Sequence, residues 1–281
     1  MKFNVSSELG YYFNSPGTLI LNIHALKSQH QQILGESFFV EPWFYFEELI
    51  SVGADNRFVR VNVTEPSPLK LRYQATVENS FDVINCADLY EVQVKDMDAL
   101  VLSYLNPSRY CQSDKLYRLA NNMFGYIDNA FEKVLALTEW IHNNVEYLSG
   151  STNSQTSAYD TVTEQAGVCR DFAHLGIALC RALTIPARYF TGYSYKLSPP
   201  DFHACFEAYL GGRWVIFDPT KLAPLNGLVK IATGRDAADT AIASIFGDVR
   251  FDSISVNCEF AGTGFEPHFY TDSSSQALSY L

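Results

Sequence analysis

Alternating apolar and polar residues run through the first hundred positions of the chain. Four segments carry β-branched and aromatic residues in this pattern: GTLILNIHAL, ILGESFFV, NRFVRVNV and LKLRYQATVE. The turn-forming clusters NSPG, GADN and EPSP separate them. Apolar residues at every second position, in segments bounded by turn residues, are typical of half-buried strands. Several such short strands without helical segments predict an all-β sandwich or a small barrel.

Near residue 100 the pattern becomes helical. SDKLYRLANNMF and NAFEKVLALTEWIHNNVEYL place most apolar residues on one helical face, whereas GVCRDFAHLGIALCRAL is apolar on most sides and predicts a buried helix. Strand patterns return in ARYFTGYSY, HACFEAYL, WVIFDP and VRFDSISVNCEF. Helices followed by antiparallel strands indicate an α+β fold. We therefore predict a β-rich N-terminal domain over residues 1–105 and a second domain over residues 106–281.

Composition and charge narrow the classes of function. The chain has 281 residues, of which 47% are hydrophobic, and a formal net charge of −11. This acidity argues against a nucleic-acid partner, because phosphate binding needs a basic face. The first residues lack the apolar stretch of a signal peptide, and no segment approaches the roughly 18 apolar residues of a membrane span. We expect a cytoplasmic protein without a nucleic-acid or membrane partner.

The six cysteines are spread along the chain and form no CxxC pair. This spacing predicts neither a zinc site nor a disulfide framework. No segment resembles the calcium-binding loop of an EF-hand. We therefore expect reduced thiols, as in the cytoplasm, and no cofactor.

One cysteine lies in the stretch GVCRDF, where the buried helix is predicted to begin. A thiol attacks only as thiolate, and the N–H groups of a first helical turn stabilise a thiolate. The same N–H groups would supply part of an oxyanion hole. Gly167 allows a sharp bend in the backbone before Cys169. The stretch alone leaves two interpretations of Cys169: a nucleophile at the start of a helix, or a small buried core residue, as most free cysteines are.

A base and an orienting acid are predicted in the hairpin of HACFEAYL and WVIFDP. Gly211–Gly212 is a two-residue turn signal between these strands. With a two-residue loop, His203, Cys205 and Asp218 share one face, and His203 and Asp218 lie roughly 7 Å apart at Cβ. A three-residue loop would reverse this parity. Taken singly, His203 also fits a half-buried structural histidine and Asp218 a turn residue. With Cys169, the pair fits the nucleophile, base and orienting acid of covalent catalysis.

The remaining candidates fit structural roles better. His174 lies five residues after Cys169, about 140° around a helix, so it is predicted to face away. Cys180 lies some 16 Å farther along the axis, at about 1.5 Å per residue, and is predicted to be core. Trp140 and Tyr147 are candidates to roof the site or to donate to an oxyanion.

The segments GVCRDFAHLGIALCRALTIPARYFTGY and DFHACFEAYLGGRWVIFDPT resemble the transglutaminase-like superfamily. The likeness is closest to its bacterial branch of transglutaminase-like enzymes and cysteine proteases. A cysteine block, a histidine block and an aspartate block follow in the expected order, and GRDAADTA comes after them, so the likeness covers roughly residues 110–245. The β-rich first hundred residues resemble the β-sandwich that often precedes this domain in bacterial members.

The resemblance implies a papain-like core, in which helices pack on an antiparallel sheet. It also implies a triad, with Cys169 as nucleophile, His203 as general base and acid, and Asp218 as orienting residue. The expected reaction is acyl transfer through a thioester on Cys169, with water as acceptor and a protein or peptide substrate joined by a peptide or isopeptide bond.

Three alternatives to this reaction stay open. True transglutamination would deliver the acyl group to a lysine amine. Arylamine acetyltransferases use the same three residue types but have a different cysteine block. A noncatalytic scaffold or peptide-binding protein would keep the fold without the activity. Cys205 departs from the family, whose members commonly have tryptophan there, and this smaller residue would enlarge the pocket or add a second sulfur near the site.

Overall fold

The computed structural model describes residues 1–51, 55–271 and 273–280, so the turn signal GADN lies partly outside the described residues. The strands are β1 Lys2–Phe13, β2 Gly17–Leu21, β3 Gln31–Glu41, β4 Phe46–Ile50, β5 Arg57–Val63, β6 Ser67–Asn79, β7 Asp82–Asn85, β8 Glu146–Tyr147, β9 Ala166–Gly167, β10 Ala187–Ser194, β11 Phe202–Leu210, β12 Arg213–Phe217, β13 Leu228–Gly234, β14 Ala243–Phe246, β15 Val249–Phe260 and β16 Gln276–Ser279. The α-helices are α1 Ala99–Leu102, α2 Ser113–Phe124, α3 Ala130–Asn144, α4 Ala158–Glu164 and α5 Cys169–Ala182.

Two antiparallel sheets form a sandwich, with strand orders β15-β1-β6-β3 and β14-β2-β5-β4. Along β6, buried and exposed residues alternate, as the period of two predicts. The inward residues Leu71 and Val77 of one sheet share a core with Leu19 and Val61 of the other. Burying each such side chain stabilises the fold by about 1.5–3 kcal/mol. A slip of one residue would expose the whole set, so the core fixes the register.

The sandwich takes strands from two distant parts of the chain. Strand β15 pairs with β1, and β14 pairs with β2, so segment 243–260 completes both sheets. The sandwich is therefore not confined to residues 1–105, although the domain boundary at residue 105 stays a prediction. Alternation identifies a strand, but it does not say which sheet that strand joins.

The second half of the fold places helices on an antiparallel sheet of order β12-β11-β10-β13. Helix α5 packs against β10, β11 and α2. The close approach of α5 to the sheet requires a glycine, because a Cβ on Gly176 would lie 2.5 Å from the Phe206 ring. The predicted α+β class is confirmed. Within the described ranges, no helix is long and apolar enough to cross a membrane.

Side-chain amides of the sandwich cover the edge strand β13 of this sheet. The Gln31 amide donates to the carbonyl of Lys230 and accepts from its N–H, both at 2.7 Å. Asn56 makes the same two-way contact with Thr233, at 2.8 and 3.0 Å, and Asn79 donates to another β13 carbonyl. These amides satisfy backbone groups that an open edge would leave without partners.

One histidine is buried within the sandwich. The His24 ring stacks on Tyr73 with centroids 4.4 Å apart. Burial, and then the positive charge of Arg57, lowers the pKa of His24 to about 4, against the opposing effect of Glu48. The folded chain therefore holds this imidazole neutral at pH values where an exposed histidine is charged.

Candidate active site

Cys169 is the first residue of helix α5. Gly167 precedes it at a close approach, because a Cβ there would lie 2.8 Å from Cβ of Asp171. The Asp171 carboxylate accepts a hydrogen bond of 3.0 Å from the N–H of Val168, which fixes the turn that leads into the helix. The Cys169 side chain is partly exposed. The first turn of a helix leaves backbone N–H groups without intrahelical partners, so the thiol lies where an anion is favoured.

The β11–β12 hairpin has the predicted two-residue loop. Gly211 and Gly212 have φ values of 55° and 80°, which suit a tight turn of this kind. In the observed register, Leu210 pairs with Arg213, as a two-residue loop requires. The sequence-based prediction of this register is confirmed.

The register brings His203 and Asp218 together. His203 Nε2 lies 2.7 Å from Asp218 Oδ2, and both side chains are buried. The other carboxylate oxygen, Oδ1, accepts hydrogen bonds from Thr220, at 2.9 Å from its N–H and 2.7 Å from its hydroxyl. The carboxylate is thus fixed from one side by Thr220 and holds the imidazole from the other.

The surroundings of His203 favour its charged form. Burial by itself lowers the pKa of the imidazole, but the Asp218 carboxylate outweighs it and raises the pKa well above its usual value. Nδ1 of His203 is buried and has no hydrogen-bond partner within the part of the chain that the structure describes. Because Asp218 occupies Nε2, Nδ1 is the nitrogen left to exchange a proton with a nucleophile or a substrate.

Cys169 and His203 line the same cleft, which has a volume of about 480 Å³. Helix α5 supplies the cysteine and β11 the histidine, while segment 237–243 forms much of the opposite wall. That segment is rich in alanine, so the wall is formed by small side chains. The three predicted residues therefore meet in space: the thiol and the imidazole face one cleft, and the carboxylate lies beside the imidazole. Their catalytic roles stay predictions.

Cys205 lies beside the His203–Asp218 pair. Its Sγ, one nitrogen of His203 and one oxygen of Asp218 all lie within 4.8 Å of one another. Burial, and then the Asp218 charge, raises the pKa of the Cys205 thiol to about 12. This second sulfur is a neutral, fully buried group. It adjoins the pair and is not among the residues that line the cleft.

The two aromatic candidates lie in different places. Tyr147 pairs with Gly167 in the short parallel ladder β8–β9, next to the start of α5. Burial, and then the neighbouring Cys169, raises the pKa of Tyr147 to about 12. Trp140 instead packs edge-on against Phe124, with ring centroids 6.2 Å apart. Of these two candidates, Tyr147 is therefore the one placed near the candidate nucleophile.

His174 and Cys180 have the predicted structural character. Both are fully buried in the core around α5. His174 Nε2 accepts a hydrogen bond of 3.1 Å from the N–H of Ala237, at the start of the cleft wall, and its ring stacks on Tyr110. His174 thus positions the wall of the cleft, a role that the helical spacing alone did not indicate.

Sequence reasoning missed the charge beside the candidate nucleophile. Among the described residues that line the cleft, Arg170 carries the one permanent charge. Its guanidinium donates to the carbonyl of Asn153 at 2.7 Å and lies 3.4 Å from the Asp171 carboxylate. The sequence signal was the arginine directly after Cys169, since a residue in the first turn of a helix lies near the ligand that the helix end binds.

Two family models match this chain. "Bacterial transglutaminase, N-terminal domain" matches residues 1–100, and "Transglutaminase-like superfamily" matches residues 117–219. A crystal structure described as a "Putative Cysteine Protease" from Cytophaga hutchinsonii is 57% identical, with a TM-score of 0.98. The match covers 100% of this chain and 98% of that one.

Curated relatives match over a shorter region. An uncharacterized protein of Mycobacterium leprae is 32% identical over 117 residues, which are 38% of this chain and 42% of the relative. An uncharacterized protein of Mycobacterium tuberculosis is 34% identical over 119 residues, 37% of this chain and 38% of the relative. These matches thus span less than half the length of the curated relatives. The full-length likeness to the Cytophaga structure and the matching core model establish the family: the chain belongs to the transglutaminase-like superfamily and has its papain-like core.

Proposed function

We propose that this protein is a cysteine hydrolase that cleaves a peptide or isopeptide bond through a thioester on Cys169. One observation carries the proposal: the buried His203–Asp218 pair, 2.7 Å apart, opens onto the same cleft as a cysteine at the start of a helix. A thiol, a base and an orienting carboxylate are the groups that covalent acyl transfer requires. Membership of a superfamily that includes cysteine proteases adds to this support.

In the proposed first step, His203 holds the thiol proton as an imidazolium, and the Cys169 sulfur attacks the amide carbonyl carbon. The carbonyl electrons move to oxygen, and N–H groups of the first turn of α5 donate to that oxyanion. When the intermediate collapses, the C–N bond breaks and the amine leaves with the proton from His203. The acyl group remains on sulfur as a thioester.

In the second step, His203 accepts a proton from water as the water oxygen attacks the thioester carbonyl. The C–S bond breaks, the acid product leaves, and the proton returns to the sulfur, so the enzyme is regenerated. Asp218 keeps the imidazole oriented and stabilises its charge throughout, without taking the proton. The proposed partner is accordingly a protein or peptide substrate, and the cytoplasmic location stays a prediction.

Thiol labelling tests the nucleophile. Iodoacetamide near pH 7 is expected to label Cys169 in the folded protein, and Cys169→Ala should abolish that label. Cys86 gives the matched control, because it is also partly exposed, whereas burial raises its pKa to about 11. A Cys86→Ser variant should keep the wild-type labelling rate. Equal labelling of Cys86 and Cys169 would contradict an activated Cys169.

A peptide and isopeptide library tests the reaction. We expect acid products from the wild type and none from Cys169→Ala. Adding a primary amine distinguishes the acceptors, since amine incorporation that outpaces hydrolysis would instead identify a transglutaminase. A protein that binds library members without turning them over would be a scaffold.

A further inference from the structure

The His203–Asp218 pair has a third neighbour that the proposed reaction does not use. Cys205 contributes a sulfur within 4.8 Å of a His203 nitrogen and an Asp218 oxygen. All three side chains are buried. In the described part of the chain, this is the one group of three histidine, cysteine or acidic residues that is close enough to hold a metal ion.

The three donor atoms suit a zinc ion. Zinc binds cysteine sulfur at about 2.3 Å and histidine nitrogen or carboxylate oxygen at about 2.0–2.2 Å, in tetrahedral geometry. Neighbouring ligand atoms of such a tetrahedron are roughly 3.4–3.6 Å apart. Separations from the sulfur of up to 4.8 Å need to contract by up to about 1.2 Å, and the 2.7 Å contact between His203 and Asp218 needs to open by under an ångström.

The carboxylate is already oriented for this role. Thr220 holds Oδ1 of Asp218 with two hydrogen bonds, which leaves Oδ2 directed at His203. Metal-binding carboxylates and imidazoles commonly have such outer partners, which fix the ligand orientation.

We propose that His203, Cys205 and Asp218 form a binding site for a thiophilic divalent cation, Zn²⁺, which inhibits the enzyme. Ligation releases the thiol proton of Cys205 and takes a deprotonated nitrogen of His203, while Asp218 exchanges its hydrogen bond for a bond to the metal. While His203 and Asp218 bind the ion, they no longer serve Cys169 as base and orienting acid. The inhibition rests on the proposed function, whereas the metal site does not.

Cobalt(II) is the probe for the site, because a thiolate ligand gives it a charge-transfer band in the near ultraviolet. We expect one equivalent of Co²⁺ to give this band in the wild type, in Cys169→Ala and in the core control Cys180→Ala. The band should disappear in Cys205→Ala. Cys205→Ser, which keeps the volume and replaces the soft sulfur by oxygen, provides a second variant should the alanine variant not fold.

The pattern across these variants decides between two sites. A band that survives in Cys205→Ser but is lost in Cys169→Ala would place the ion on the candidate nucleophile and overturn the proposal. Absence of a band in every variant would overturn it as well. Zinc is further expected to slow iodoacetamide labelling of Cys169 at least tenfold in the wild type but not in Cys205→Ser.

The outcome for the metal site is separate from that for the hydrolase. A band that depends on Cys205, in a protein that cleaves no member of the library, would support the metal site and count against the hydrolase. Cleavage that zinc does not inhibit, with no cobalt band, would support the hydrolase and refute the metal site.

Discussion

The Asp218→Asn substitution is expected to place the imidazole proton of His203 on the wrong nitrogen. Thr220 directs two donors at one oxygen of residue 218, its N–H at 2.9 Å and its hydroxyl at 2.7 Å. An asparagine satisfies both donors only if its carbonyl oxygen faces Thr220. Its NH₂ group then faces Nε2 of His203 and donates to it. The imidazole proton must move to Nδ1, which leaves no acceptor for the thiol proton of Cys169.

The size of the effect follows from the loss of the base and of its charge. A cysteine without assistance has a pKa of about 8.5 and is about 3% thiolate at pH 7. Without the acceptor on His203, Cys169 becomes such a cysteine, so its alkylation at pH 7 should slow by up to about 30-fold. Amide cleavage also needs a proton donor, and the equivalent exchange in a serine protease costs about 10⁴-fold in kcat.

The assay is the iodoacetamide labelling rate of Cys169, followed by mass spectrometry from pH 5 to pH 10. Asp218→Asn should label more slowly than the wild type at pH 7, and the difference should narrow toward about pH 9, where an unassisted thiol ionises. Asp160→Asn is the matched control, because Asp160 caps helix α4 through Ser157, outside the site. A rate for Asp218→Asn within twofold of the wild type throughout this range would refute the tautomer argument.

Three further predictions concern charge, pH and packing. Arg170→Gln should slow alkylation of Cys169 by anionic iodoacetate, relative to neutral iodoacetamide, roughly three- to tenfold; an unchanged ratio would show that the guanidinium does not act on the cleft. Burial lowers the pKa of His24 to about 4, so between about pH 6.5 and pH 4 the unfolded chain binds a proton that the folded chain does not. As the pH is lowered across this window, the free energy of unfolding should fall by up to about 3 kcal/mol in urea titrations, and by less in His24→Phe. Gly176→Ala places a Cβ 2.5 Å from the Phe206 ring and should lower the free energy of unfolding by about 1–3 kcal/mol; unchanged stability would mean that α5 shifts freely.

The hairpin register was predictable from the sequence because local chemistry determines it. Gly211 and Gly212 adopt positive φ values, which few other residues tolerate, so the two-residue loop follows from their identity. Once the loop length is fixed, parity places His203 and Asp218 on one face without any knowledge of the tertiary fold. The start of the helix at Cys169 was predictable for the same reason, since Gly167 and the apolar run that follows are local signals.

Features that depend on distant parts of the chain were not predictable in this way. The pattern of VRFDSISVNCEF identified strand β15, but its partner β1 lies more than 200 positions earlier, and pairing over that distance has no local signal. The proposed cation site has no local signal either. Two of its ligands lie on β11 and the third, Asp218, directly follows β12, whereas the CxxC criterion recognises only cysteines close together in sequence.

The amides that cover β13 join the sandwich to the sheet that carries His203. Strand β13 borders β10, which in turn borders β11 with His203. Gln31 and Asn56 each make two hydrogen bonds to the outer edge of β13, and the carbonyl of Lys230 on that edge also accepts from the N–H of Leu26. Each buried backbone group left without a partner costs about 1–3 kcal/mol. Losing these four bonds would leave three backbone groups of β13 without a partner, since the Lys230 carbonyl keeps its bond from Leu26, at a cost of about 3–9 kcal/mol. The sandwich thus contributes to the second half of the fold by covering the edge of its sheet, two strands away from the candidate base.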